Sequence, residues 1–144
     1  MSTIDSRQQE IIDEFEGMDD WMDRYATIID MGSQLAPLDE KDKTPEHLIE
    51  GCQSRVWVKA DLDKEGRMHL AADSDASIVK GIIAMLVDVL DGATPDEILA
   101  TDLHFIDAIG LGEHLSPTRS NGLLAMVKQI KLYALAYQQL QQKG

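Results

Sequence analysis

Apolar positions follow three successive regimes: helical spacing, strict alternation, then helical spacing again. Over residues 6–16, Ile11, Ile12 and Phe15 share one side of an acidic stretch, which predicts a short helix. Asp19 is placed to cap a second helix, where Trp21, Met22, Tyr25, Ile28 and Ile29 recur at helical spacing and Gly32 marks the end. Residues 36–47 show no period, hold Pro37 and Pro45 and many charges, and read as loop. From Arg55 to Leu62 the residues alternate: Val56, Val58, Ala60 and Leu62 face one way, Trp57, Lys59 and Asp61 the other. Asp63-Lys64-Glu65-Gly66 is a turn, with glycine supplying the positive φ. Arg67 to Ala72 alternates again through Met68, Leu70 and Ala72, so the pair is a β-hairpin. His47 to Gly51 extends as a third strand leading into Cys52.

The remainder is helical. Ser74 is the expected N-cap of a helix over 75–91, in which Ile78, Val79, Ile82, Ile83, Leu86, Val87 and Leu90 are apolar almost all round. Such a helix belongs at the centre of the core. Thr94-Pro95-Asp96-Glu97 has a capping threonine, proline at the first helical position and glutamate at the third, a helix start running to about Ala100. Another helix is expected near Leu103 to Ile109, broken by Gly110 and Gly112. Ser116-Pro117 opens the last one, with Leu123, Met126, Val127, Ile130, Tyr133 and Tyr137 as its stripe. The expected fold is α+β: a small antiparallel sheet of about three strands covered by helices. At 144 residues the chain fits a single domain, 1–144.

Charge narrows the function. The chain has 13 basic and 26 acidic residues, and the excess is concentrated in residues 1–50, with 4 basic against 14 acidic. This balance repels phosphate backbones and argues against nucleic acid. Solvated helix faces account for it, and so does docking to a basic partner surface. No stretch approaches the roughly 18 apolar residues of a membrane span. The first residues lack the basic start and apolar run of a secretory signal, so a cytoplasmic protein is expected.

Chemistry narrows to Cys52. A lone cysteine forms no disulfide within its chain and falls short of the roughly four thiolates of an iron–sulfur site. The four histidines His47, His69, His104 and His114 are too scattered to complete a zinc site with it. Free cysteine is often a small buried hydrophobe. Here Gly51, Gln53 and Ser54 flank it, just before a strand, which favours a loop tip. A thiol acts as thiolate, with an ordinary pKa of about 8.5. Arg55 would lower that value and Glu50 would oppose it. Asp73-Ser74-Asp75-Ala76 supplies polar groups at a helix start, where capping is the ordinary reading. Ser116 to Gly122, with Arg119, opens the last helix, and its spacing fits equally a site for an anion or partner carboxylate and a cap with an arginine salt bridge.

Three stretches in order resemble the SufE family: Gly51-Cys52-Gln53-Ser54 with Val56-Trp57; Ser74-Asp75-Ala76 with Ile78-Val79-Lys80-Gly81; and Leu115-Ser116-Pro117-Thr118-Arg119-Ser120 with Gly122-Leu123. The resemblance spans about Asp19 to Tyr137. It implies a fold similar to the IscU-type scaffolds, without their cluster-binding cysteines. It implies that Cys52 accepts sulfur as a persulfide from a SufS-type cysteine desulfurase, stimulates that enzyme, and passes sulfur to a SufBCD-type scaffold. The chain would then be an accessory sulfur-transfer protein, monomer or homodimer, with no cofactor of its own, PLP belonging to the partner. Gly51, Gln53, Ser54, Asp75 and Arg119 are implied as loop support or partner contacts. A persulfide is easily lost to other thiols, so the apolar helix 75–91 is expected to line a shelter for it. The other readings are a thiol enzyme acting on small molecules, for which no substrate pocket is legible, and an acidic adaptor in which Cys52 is incidental.

Overall fold

The computed structural model describes residues 3–49, 54–111, 115 and 117–143, the side chains of 117–120, 142 and 143 excepted. Its helices are α1 (Thr3–Glu16), α2 (Trp21–Gln34), α3 (Ser77–Leu90), α4 (Pro95–Ala100), α5 (Phe105–Ala108) and α6 (Pro117–Lys143). Its strands are β1 (Val56–Leu62) and β2 (Met68–Ser74), and a 3-10 turn occupies Glu40–Asp42. The fold is α+β, and no helix among the described residues is long and apolar enough to cross a membrane.

Alternation built the hairpin as expected. Val56, Val58, Met68, Leu70 and Ala72 are buried on one face, and β1 and β2 pair antiparallel from Val56–Ser74 to Leu62–Met68. The turn is held by one carboxylate: Asp63 Oδ1 accepts from the N–H groups of Glu65 and Arg67, each at 2.9 Å, while Gly66 takes φ +81°. Its other oxygen lies 2.7 Å from His69 Nε2. The hydrogen bond to Asp63 raises the His69 pKa, and the bond from Arg67 N–H, then the one with His69, lowers that of Asp63.

Of the expected third strand over 47–51, residues 47–49 form one bridge, Leu48 with Trp57, while 50 and 51 lie outside the described residues; the sheet has two strands among the described residues. The outer edge of β1 shows what ends this pairing at His47. Ile49 N–H donates to Val56 O at 2.8 Å and Val58 N–H to His47 O at 2.9 Å. Beyond that, the hydroxyls of Tyr133 and Tyr137 on α6 donate to Val58 O and Ala60 O, each at 2.8 Å. His47 N–H turns back to Thr44 O at 3.1 Å, and helix hydroxyls take the β1 carbonyls that a strand continuing before His47 would have bonded. The outer edge of β2 is covered from the other side: Met68 N–H donates to Ala93 O, Gly92 N–H to Met68 O, and Leu70 N–H to Asp91 Oδ1.

Helix α3 is the core, as its composition predicts, with Val79, Gly81 to Leu86, Val89 and Leu90 buried. It starts at Ser77 instead of 75, and Ser74 does not cap it. Ser74 ends β2, its hydroxyl donating to Arg55 O at 2.7 Å, so the N-cap position falls to Ala76, which has no capping side chain. The second helix is capped by Asp20 in place of Asp19, because its first turn begins at Trp21 and Asp20 Oδ1 accepts from Met22 N–H at 2.9 Å. The capping box of Thr94 and Glu97 forms as read. The expected helix over 103–109 shortens to α5, which Gly110 ends at φ +79°; Gly112 lies outside the described residues, as does Ser116 before α6.

Two glycines set how closely α2 lies on α3. A Cβ on Gly81 would stand 2.0 Å from Ile28 O, and one on Gly32 would stand 2.7 Å from Gly81 N. Backbone meets backbone there. Of the stripe read on α2, Ile28 is fully buried, while Met22 and Ile29 are exposed.

Gly81→Ala should therefore destabilise the fold by at least about 2 kcal/mol, since a rigid carbonyl must move; denaturant unfolding measures it, and an unchanged midpoint would contradict the packing described. The His69–Asp63 pair gives a pH signature. A raised histidine pKa means its stabilisation is full below the ordinary value of 6.5 and is lost as pH rises through the folded value. Asp63 works oppositely, its contribution being lost as pH falls below its ordinary 3.8. NMR titration should place His69 above 6.5, and Asp63→Asn should bring it back down.

Candidate functional site

The segment that joins the Leu48 bridge to β1 carries Cys52. Glu50, Gly51, Cys52 and Gln53 lie outside the described residues, whereas the stems on either side are described. The entering stem, His47 to Ile49, is paired to β1 through the two backbone bonds given above. His47 Nδ1 also lies 2.6 Å from Asp42 O and 3.2 Å from Thr44 Oγ1, which ties this stem to the preceding turn.

The leaving stem, Ser54 and Arg55, is held by the corner between β2 and α3. Asp75 Oδ1 accepts from Arg55 N–H at 3.0 Å, and Asp75 N–H donates to Arg55 O at 3.3 Å. The Ser74 hydroxyl donates to that same carbonyl and accepts from Ala76 N–H at 3.3 Å. Thus Asp75 and the Ser74 hydroxyl, read as helix-capping groups, bond to the stem. Asp75, named from sequence, stands beside the leaving stem together with Ser54. Arg119 falls in the first turn of α6, and its side chain lies outside the described residues.

From sequence, Asp73 reads only as an acid at a helix start. Alternation places it on the outward face of β2, opposite Trp57, yet it is only 5% exposed. Residues 35–44 cross that face as a strap. Asp73 Oδ2 accepts from Leu38 N–H at 3.1 Å and lies 3.5 Å from Lys43 Nζ. Its Oδ1 accepts from Ser74 N–H at 2.8 Å and lies 3.3 Å from Lys80 Nζ on α3. Burial works to raise its pKa, but the N–H groups of Ser74 and Leu38 and the Lys80 charge outweigh it and hold the group below the usual carboxylate range. Lys43 also sits over the Trp57 ring, 5.5 Å from its centroid. Trp57 was the available signal, because an indole on a nominally solvent face asks for a cover.

Other features stand apart from this corner. A groove of about 550 Å³ runs between α1, α2 and α3, with Met31, Leu35 and Met85 among Glu14, Asp30 and Asp88, and none of its lining residues belongs to either stem. Buried Gln8 links α1 to the start of α5, donating to Asp102 O and accepting from Phe105 N–H, each at 3.1 Å. Among the described residues no three potential metal ligands converge.

Comparison with known proteins agrees with this architecture. The SufE family model, described as an Fe-S metabolism associated domain, matches residues 9–134. A solution structure of a hypothetical protein from Thermus thermophilus is similar at a TM-score of 0.75 and 20% identity, covering 92% of this chain and 96% of that one. At that identity the likeness concerns the fold.

The clamp on Arg55 predicts a local effect. Asp75→Ala should speed hydrogen exchange of the Arg55 amide by about fivefold or more and leave the Ile83 amide, deep in α3, unchanged; equal acceleration at both would mean that the clamp is not local.

Proposed function

The chain belongs to the SufE family, which associates it with Fe–S metabolism, and from that premise we propose that Cys52 is a sulfur acceptor for a cysteine desulfurase of the SufS type. The observation that carries the reading is the placement of the chain's only thiol in a short segment whose two stems are pinned to β1 and to the Ser74–Asp75 corner. A carrier needs a single nucleophile held at a defined place, and this arrangement supplies fixed ends for it.

The proposed step is a sulfur transfer between thiols. The Cys52 thiolate attacks the terminal sulfur of the desulfurase persulfide. A new S–S bond forms on Cys52, the partner's S–S bond breaks, and the partner's cysteine leaves as thiolate. Sulfur and electrons balance without an external oxidant or reductant. PLP chemistry stays in the partner, and clearing its persulfide frees it for another turnover. Cys52 persulfide then delivers sulfur to a SufBCD-type scaffold. Gly51 gives the backbone freedom beside the sulfur, Gln53 and Ser54 complete the loop, Asp75 steadies its leaving stem, and Arg119 contacts the loop or the partner. The acidic surface favours docking on a basic face of the desulfurase. A cytoplasmic location fits a thiol that must stay reduced between cycles.

Mass spectrometry of the intact chain after incubation with desulfurase and cysteine should show one added sulfur on Cys52. Cys52→Ser should abolish both the adduct and the stimulation of the desulfurase while binding persists. An unmodified wild-type thiol would overturn the reading, and undiminished stimulation by Cys52→Ser would favour an adaptor.

A further inference from the structure

We propose that Asp73 is a positioning residue that fixes both stems of the Cys52 segment at once, an inference that rests on the sulfur-acceptor reading only for its functional meaning. The two oxygens of this buried carboxylate serve different segments. Oδ1 accepts from Ser74 N–H, which sets the direction of the β2–α3 corner. That corner presents the Ser74 hydroxyl and the Asp75 carboxylate to Arg55, the leaving stem. Lys80, 3.3 Å from the same oxygen, ties α3 to the corner.

Oδ2 governs the other side. It accepts from Leu38 N–H and faces Lys43, so it holds the 35–44 strap against the sheet. The strap in turn reaches the entering stem: the carbonyl of Asp42 contacts the His47 ring, and the Asp42 carboxylate lies 3.5 Å from Lys59 Nζ on β1. His47 O and Ile49 N–H then bond to β1. One carboxylate thereby connects the two ends of the Cys52 segment through separate chains of contacts. Asp73→Asn leaves Lys43 and Lys80 without a shared counter-charge and, because an amide keeps one acceptor oxygen, takes the acceptor from one of the two backbone N–H groups and weakens the bond to the other.

A role limited to global stability would loosen every part of the fold together. A positioning role loosens the stems first and changes how Cys52 reacts. The test uses the full chain carrying Asp73→Asn, followed by amide exchange and by alkylation of Cys52 with iodoacetamide. The amides of Ile49 and Arg55 should exchange about tenfold faster relative to the Ile83 amide, and Cys52 alkylation should accelerate about fivefold. Gln8→Ala removes equally buried polar contacts that touch neither stem, and it should leave both ratios unchanged. In combination with Asp73→Asn, Lys43→Met or Lys80→Met should add little. If Asp73→Asn fails to fold, Lys43→Met and Lys80→Met carry the test separately: the first should loosen Ile49 more, the second Arg55. Uniform acceleration of all amides, acceleration at neither stem in Asp73→Asn, or an unchanged alkylation rate would overturn the proposal. Alkylation needs no desulfurase. A wild-type chain that takes no sulfur would therefore sink the carrier reading while leaving the positioning result standing, and the reverse outcome would separate the two equally.

Discussion

The approach of α2 to α3 at Gly32 and Gly81 is the constraint on which the rest of the structure depends. Carbonyl and amide groups of two helices lie where side chains would ordinarily stand. That contact fixes the depth of α3 in the core, and α3 underlies the hairpin and carries Lys80 toward Asp73. Close-packed interiors transmit a shift of even one methyl group. The glycine in the Ile78-Val79-Lys80-Gly81 stretch therefore belongs to packing, whereas the lysine just before it belongs to the corner that holds the loop stem.

From this base the molecule arranges its polar groups in a consistent way. Buried acceptors are given N–H groups or ammonium groups from distant segments, and each such bond joins elements far apart in sequence. Gln8 joins α1 to α5, Arg24 reaches Ile109 O at 2.8 Å, and Lys131 reaches Thr101 O at 3.1 Å. Asp73 extends the pattern to the strap. The net contribution of each bond is modest, about 1 kcal/mol, but an unmade one in the interior costs more. These bonds thus select one arrangement of helices around the sheet more than they add to stability.

Much of this is legible in the sequence because hydrophobic period and turn chemistry are local. The hairpin, the buried α3 and the Thr94 box follow from residues within a few positions of one another. Pairing along the outer edge of β1 stops at His47 because Tyr133 and Tyr137, far along the chain, take the next carbonyls. Nothing local to 47–51 announces two hydroxyls bonding to β1. Asp20 and Ser74 show the same limit on a smaller scale: a capping residue type is readable, but which acid or hydroxyl reaches which N–H depends on where the helix begins. The region of the candidate site is legible through Cys52 and Asp75. The role of Asp73 is not, since it requires knowing that the strap crosses the outer face of the sheet.

The occupied sheet edges bear on how a partner recognises this protein. Many domains recruit peptides by adding them as an extra strand, a mode that reads main chain more than side chains. Here Tyr hydroxyls, the 47–49 stem and the 91–93 segment already take backbone groups on both margins of the hairpin. A strand added along Val56 to Ala60 or along Met68 to Leu70 would have to displace these bonds first. The covered stretches of the small sheet thus serve as a mount for the segments that bond to them.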